Sequence, residues 1–149
     1  MAFLTLRQGD LFFSRAQAVA HGVNTRGFMG AGVAKEFRIR YPVMYSEYKA
    51  LCASDDLPAG GVFPWRDAES GRWVYNIASQ DDPGPHARLE WVESGVREMI
   101  AHAADMSVGT IAMPRLGCGI GGLRWPDVEH VMSQVAAESD SVHLEVWSL

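Results

Sequence analysis

The segment Ala18-Val19-Ala20-His21-Gly22-Val23-Asn24-Thr25-Arg26-Gly27-Phe28-Met29-Gly30-Ala31-Gly32-Val33-Ala34-Lys35 decides the architecture. Its first six residues form an apolar run of the length of a buried strand. Asn24 to Gly32 is glycine-rich. Val33 to Tyr41 then has helical character, and Pro42 is its stop signal. Glycines between a strand and a helix let the backbone take positive φ and approach a ligand closely. Successive N–H groups in such a loop form an anion-binding nest, and the helix N-terminus adds a favourable dipole. Lys35 lies past the last glycine without the spacing of a P-loop, and the stretch does not read as a GxGxxG fingerprint.

The same arrangement recurs downstream. Gly109 to Met113 is an apolar strand that runs into Pro114-Arg115-Leu116-Gly117-Cys118-Gly119-Ile120-Gly121-Gly122. Pro126 sits where the next helix starts, and that helix continues to about Ala137. Two such loops at the carboxyl ends of neighbouring strands would hold a diphosphate from both sides, where open α/β sheets bind ligands. Short strands are predicted at Ala2 to Leu6, Val62 to Trp65, Trp73 to Ile77 and Val142 to Trp147, and a second helix over Val43 to Cys52. Arg66 to Arg72 reads as a hairpin turn, and Asp81 to His86, with Pro83, Gly84 and Pro85, as a loop. Leu89 to Ala104 is the clearest helix, with Leu89, Val92, Val96, Met99, Ile100 and Ala103 on one face. Alternating strands and helices point to α/β layering.

At 149 residues, with no linker or repeat in evidence, one domain over 1–149 is expected. Thirteen Lys and Arg against eighteen Asp and Glu give a net charge of −5, so no basic footprint for gripping a nucleic-acid backbone follows. Backbone amides must do most of the work on a small anion. Two cysteines, Cys52 and Cys118, are no disulfide framework and fit a reducing compartment. The N-terminus shows no signal-peptide pattern and no run approaches membrane-spanning length, so a cytoplasmic location with no membrane partner is expected. The five histidines show no metal-ligand spacing, and no acidic residue stands where a dinucleotide-binding loop needs one.

Three segments in order carry a family likeness: Gly9-Asp10-Leu11; Ala20-His21-Gly22-Val23-Asn24 with Met29-Gly30-Ala31-Gly32-Val33-Ala34; and Met113-Pro114-Arg115-Leu116-Gly117-Cys118-Gly119. Together they resemble the signatures of a macrodomain. Gly117 to Trp125 followed by Val128 resembles the branch with terminal ADP-ribose protein glycohydrolase and the DNA ADP-ribosyl glycohydrolase antitoxins. The likeness runs from about Phe3 to the C-terminus. It implies a three-layer α/β/α sandwich around a mixed sheet, with ADP-ribose in a surface cleft and no cofactor. It places Asp10 on the adenine amino group with the Leu11 backbone beside it, an acceptor role that suits a buried ionised carboxylate. It places Asn24 near the distal ribose. Met29, Gly30, Ala31, Gly32 and Val33 match the first diphosphate loop, and Gly117, Cys118, Gly119, Ile120 and Gly121 the second. Trp147 is placed near the adenine, or in simple core packing. Cys118 is expected to offer its backbone N–H, since no base partner for the thiol is evident. His21 is read as a satisfied core histidine.

The catalytic pattern breaks at one position. The hydrolases of that branch use a lysine that attacks the ribose anomeric carbon, and Asn76-Ile77-Ala78-Ser79-Gln80 matches the stretch ending in it. An amide cannot be an amine nucleophile. The aspartate that the protein glycohydrolase carries in its second loop is Gly121 here. The resemblance leaves three activities open. One is hydrolysis of a Glu- or Asp-linked ADP-ribosyl ester without a lysine adduct, with a water held at Gln80 and a base from Asp81, Asp82 or His86. The second is ADP-ribose binding without chemistry, and the third is de-acylation of O-acyl-ADP-ribose. The partner is ADP-ribose or an ADP-ribosylated protein, with ADP-ribosylated nucleic acid also open, and a monomer is expected.

Overall fold

The computed structural model describes residues 3–149. Six strands form one sheet in the order β1 (Leu4–Gln8), β6 (His143–Ser148), β5 (Thr110–Met113), β2 (Ala18–Val23), β4 (Trp73–Ala78) and β3 (Val62–Arg66). All neighbours run parallel except β3 against β4, so the sheet is mixed. The antiparallel pair is the hairpin expected around Arg66 to Arg72, with Val62 opposite Ile77 and Arg66 opposite Trp73. Four helices cover the sheet: α1 (Gly32–Arg40), α2 (Pro42–Ala53), α3 (Leu89–Asp105) and α4 (Trp125–Ala137).

Two cores follow from the pleat. Along β2, Ala18 and Ala20 face one layer, where they pack with Val96 and Met99 of α3 and Val128 and Met132 of α4. Val19 and Val23 face the other, with Phe37 of α1 and Met44 and Tyr48 of α2. The result is the three-layer α/β/α sandwich. On α3, Val92, Val96, Met99, Ile100 and Ala103 are buried, as their spacing demands, while Leu89 is half-buried. Gly95 faces β4 so closely that a β-carbon there would stand 2.4 Å from Ile77 Cγ2.

Boundaries differ from the sequence reading by a residue or two, and Ala2 lies outside the described residues. Pro42 ends α1 and also opens α2, where its missing N–H costs nothing at the first helical position. A short 3-10 turn, Leu11–Phe13, was not legible. Asp10 caps it, with Oδ1 accepting from the Phe12 N–H at 2.9 Å.

Candidate functional site

The carboxyl ends of β1, β2, β4, β5 and β6 open into a cleft of about 960 Å³. Asp10, Leu11, Asn24, the residues from Met29 to Val33, Gln80, the residues from Gly117 to Gly121, and Trp147 all line it. The cleft is therefore walled by both glycine loops.

Each loop is shaped by its own bonds. In the first, the buried Asn24 side chain works inward: Nδ2 donates to the Phe28 carbonyl at 2.8 Å, and Oδ1 accepts from the Arg26 N–H at 2.9 Å. The Tyr48 hydroxyl donates to the Asn24 carbonyl at 2.5 Å, with Asn24 Oδ1 3.1 Å away. Asn24 is thus the brace of the loop as well as part of the cleft wall. The loop ends at Ala31, which is extended, and α1 starts at Gly32 with no side chain capping it. Its first N–H groups are the orphans every helix leaves at that end, and an anion is a natural partner for them.

The second loop turns at Gly117 and Gly122, both at positive φ (74° and 84°). The Cys118 N–H donates to the Arg115 carbonyl at 3.1 Å and the Leu123 N–H to the Gly117 carbonyl at 2.9 Å. The N–H groups of Gly119, Ile120 and Gly121 have no acceptor among the described residues. Ile120 reaches across the cleft: its Cδ1 lies 3.3 Å from where a Gly32 β-carbon would stand.

Two glycines stand apart. A β-carbon on Gly30 or on Gly119 would meet nothing within 4 Å. Neither has positive φ. Neither packing nor backbone conformation requires glycine there. One lies in each loop, and both face the open cleft. What glycine supplies at such positions is room for another molecule to touch the main chain.

The sequence model of the Macro domain family matches residues 20–132. The chain belongs to that family. It is 30% identical over 142 residues to a DNA ADP-ribosyl glycohydrolase of Thermus aquaticus, a match that covers 94% of this chain and 39% of the relative. The chain thus spans about two fifths of that relative's length. The ADP-ribose glycohydrolase OARD1 of Homo sapiens is 24% identical over 147 residues, 98% of this chain and 91% of that one. Among solved structures, the macrodomain of Mycobacterium tuberculosis DarG superposes with a TM-score of 0.91 at 25% identity, over 100% of this chain and 99% of the other. The family read from the three motifs, and the branch read from Gly117 to Trp125 with Val128, are those found.

Within this Macro domain, Gln80 lies two residues past β4, bridged to Ala87 and on the cleft wall. Its Nε2 donates to the carbonyls of Asp82 at 2.7 Å and Gly84 at 3.1 Å. That pins the amide and turns Oε1 toward the second loop, 3.1 Å from where a Gly121 β-carbon would stand. The loop beyond it brings Pro83 and Gly84 to the cleft wall, not the residues expected as bases. Asp81, Asp82 and His86 do not line the cleft. Asp82 instead lies 3.7 Å from Arg26, and Asp81 and His86 are exposed. The physical reason is the Gln80 amide itself, which gathers the loop carbonyls beneath it and leaves these side chains outside.

Other residues also differ from expectation. Asp10 is half-exposed rather than buried; its Oδ1 is the turn cap, and the residue also lines the cleft. Trp147 lines the cleft and packs in the core as well, with Nε1 donating to Glu145 at 3.1 Å. Burial pushes the Cys118 thiol up to about 11, so it stays protonated, and its sulfur leans on the Leu116 carbonyl. His21 is buried and stacked 3.8 Å from Phe37, but only half satisfied. Asn76 gives its Nδ2 to the Phe63 carbonyl, so its Oδ1 accepts from His21 Nε2 at 2.6 Å. His21 Nδ1 then has no partner among the described residues, and burial lowers the pKa to about 4. Ser79, whose hydroxyl lies beside Gly22, and Glu36 on α1 also line the cleft; no motif distinguished them in the sequence.

Proposed function

We propose that this Macro domain binds ADP-ribose in the cleft and hydrolyses the ester joining its C1″ to a Glu or Asp side chain of an ADP-ribosylated protein, without a lysine adduct. The pairing of Gly30 with Gly119 carries the binding half. The pyrophosphate lies between them, held by main-chain N–H groups of both loops and by the uncapped start of α1. A cleft of about 960 Å³ is of ligand size. The names of the two relatives support ADP-ribose binding and hydrolysis of an ADP-ribosyl bond, without naming a Glu or Asp linkage.

The chemical half rests on Gln80. Its Oε1 is an acceptor facing the second loop, and this reading assigns it the orienting of a water toward C1″. The water oxygen bonds to C1″ as the C1″–O bond to the carboxyl group breaks, giving free ADP-ribose and a carboxylate. The proton passes through a phosphate oxygen of the substrate to solvent. A carboxylate leaves readily, so positioning supplies much of what the missing nucleophile would have supplied. A binding module without turnover is the second reading. What favours it is that neither Asp81, Asp82 nor His86 reaches the cleft.

The test is release of labelled ADP-ribose from a Glu/Asp-modified protein, run beside an ADP-ribosylated oligonucleotide and O-acetyl-ADP-ribose. Turnover of the protein ester, with no adduct trapped by borohydride, is expected. Tight binding without turnover leaves the binding module. Turnover of the oligonucleotide alone replaces the substrate class.

A further inference from the structure

A second hollow of about 480 Å³ lies at the other end of the sheet. Its walls come from the segment before β2, the β3–β4 hairpin and the turn from α3 to β5, and it shares no lining residue with the cleft. Ala18 pairs with Trp73 at this end, and Val23 with Ala78 at the cleft end. Five residue steps of strand separate them, roughly 17 Å.

Arg15, Arg66 and Arg72 line this hollow. None of them forms an ion pair among the described residues, although the chain carries a net charge of −5. Two are fixed by main-chain carbonyls. Arg72 donates through Nε to the Ala16 carbonyl at 3.2 Å and through Nη2 to the Ser14 carbonyl. Arg66 donates through Nε to the Gly71 carbonyl at 3.2 Å. A carbonyl orients a guanidinium without neutralising it, and N–H groups remain for an anion. On the same hairpin, Asp67 accepts from the Ser70 hydroxyl at 2.7 Å, and Glu69 does not line the hollow.

The rest of the wall sets Trp73, Met106 and Val108 among Ser14, Gln17 and Ser70. Trp73, half-buried, is stacked on Tyr75 and set edge-on to His102, 4.8 Å between centroids, so its ring is held. Met106 stands beside it, about half exposed. Preorganised guanidinium groups beside a fixed indole match one chemistry: a phosphate joined to a planar or sugar-like body.

We propose that this hollow binds a nucleoside phosphate, with the phosphate on the arginines and the nucleoside against Trp73 and Met106. That chemistry has two sources, a free nucleotide and the 5′-phosphate end of a nucleic-acid strand. The site is separate from the cleft and stands whether or not the cleft binds ADP-ribose.

The test titrates uridine monophosphate into the isotope-labelled full chain and follows the Trp73 indole and the Arg15, Arg66 and Arg72 Nε signals, which belong to the hollow and not to the cleft. Saturable shifts at Trp73, Arg15 and Arg66 are expected. Arg15→Gln alone weakens binding several-fold, and Arg15→Gln with Arg66→Gln by about tenfold or more, the order of lost charge-assisted hydrogen bonds. Arg15 makes no hydrogen bond among the described residues, so its single variant keeps the test valid if the double variant is unstable. A 5′-phosphorylated oligonucleotide that binds more tightly than the mononucleotide names the strand end; one that binds no better names the free nucleotide. Inorganic phosphate matching the mononucleotide in affinity, absence of shifts at millimolar ligand, or shifts unchanged in the variants would overturn the proposal.

Discussion

Gln80 Oε1 lies 3.1 Å from the point where a side chain on Gly121 would begin. By the resemblance, these are the two positions matched to the lysine and the aspartate of the protein glycohydrolase. Here an amide faces bare backbone, in a corner closed by the Gly117 carbonyl and Ala87. Replacing Gln80 by Ala is expected to lower ester turnover by about 10–100-fold, the order for losing one positioning contact, while ADP-ribose affinity stays within about twofold. Single-turnover rates measured beside calorimetric affinities check it. Equal losses in both would make Gln80 a binding residue only.

Gly121 is constrained by packing. A β-carbon there would stand 2.6 Å from the Gly117 carbonyl oxygen and 2.9 Å from Ala87 Cβ. Gly121→Ala is therefore expected to destabilise the protein by about 1–3 kcal/mol, the cost of overpacking a tight site. Denaturant unfolding reads it directly; an unchanged midpoint would mean that the loop yields freely.

Asp10 carries two roles that one substitution separates. Asp10→Asn keeps an oxygen to accept from the Phe12 N–H, so the melting temperature should hardly move. Its second group becomes a donor, which opposes the adenine amino group, and ADP-ribose affinity should fall by about 1–3 kcal/mol. Asp10→Ala should lose both. Unaltered affinity in Asp10→Asn would put the adenine elsewhere.

Acid should weaken the fold through His21. Its pKa is about 4 when buried, against 6.5 in the unfolded chain. Between those values the unfolded chain binds a proton that the folded chain refuses, so stability falls as pH drops below 6.5, by about 3 kcal/mol in all. His102, also lowered by burial, acts in the same direction. Comparison of unfolding free energies at pH 7 and pH 5 in wild type and His21→Gln isolates the term. The variant should lose most of the slope; an equal slope in both would assign it to other groups.

Local chemistry made the strands and loops legible. The β2 run Ala18 to Val23 has the apolar continuity of a strand buried on both faces, and α3 has a single apolar stripe. The two glycine loops stood out because nothing but backbone geometry or a ligand calls for so many glycines. What could not be read is set by contacts distant in the chain. Gly119 and Gly121 are alike in sequence, yet one faces open space and the other three neighbours. Asp81, Asp82 and His86 follow Gln80 directly, but the direction of that loop depends on an amide turned back onto its own carbonyls. His21 looks like any core histidine until Asn76 is seen to satisfy only one of its nitrogens.

The most direct measurement is a calorimetric titration of ADP-ribose into the wild type, Gly30→Val and Gly119→Val. Both glycines have free space where the side chain would go, so both variants should fold with wild-type melting temperatures. The wild type should bind saturably, and each valine should weaken binding by about tenfold or more by standing between the ligand and the main chain. No heat from the wild type, or wild-type affinity in both variants, would contradict a pyrophosphate held between the two loops.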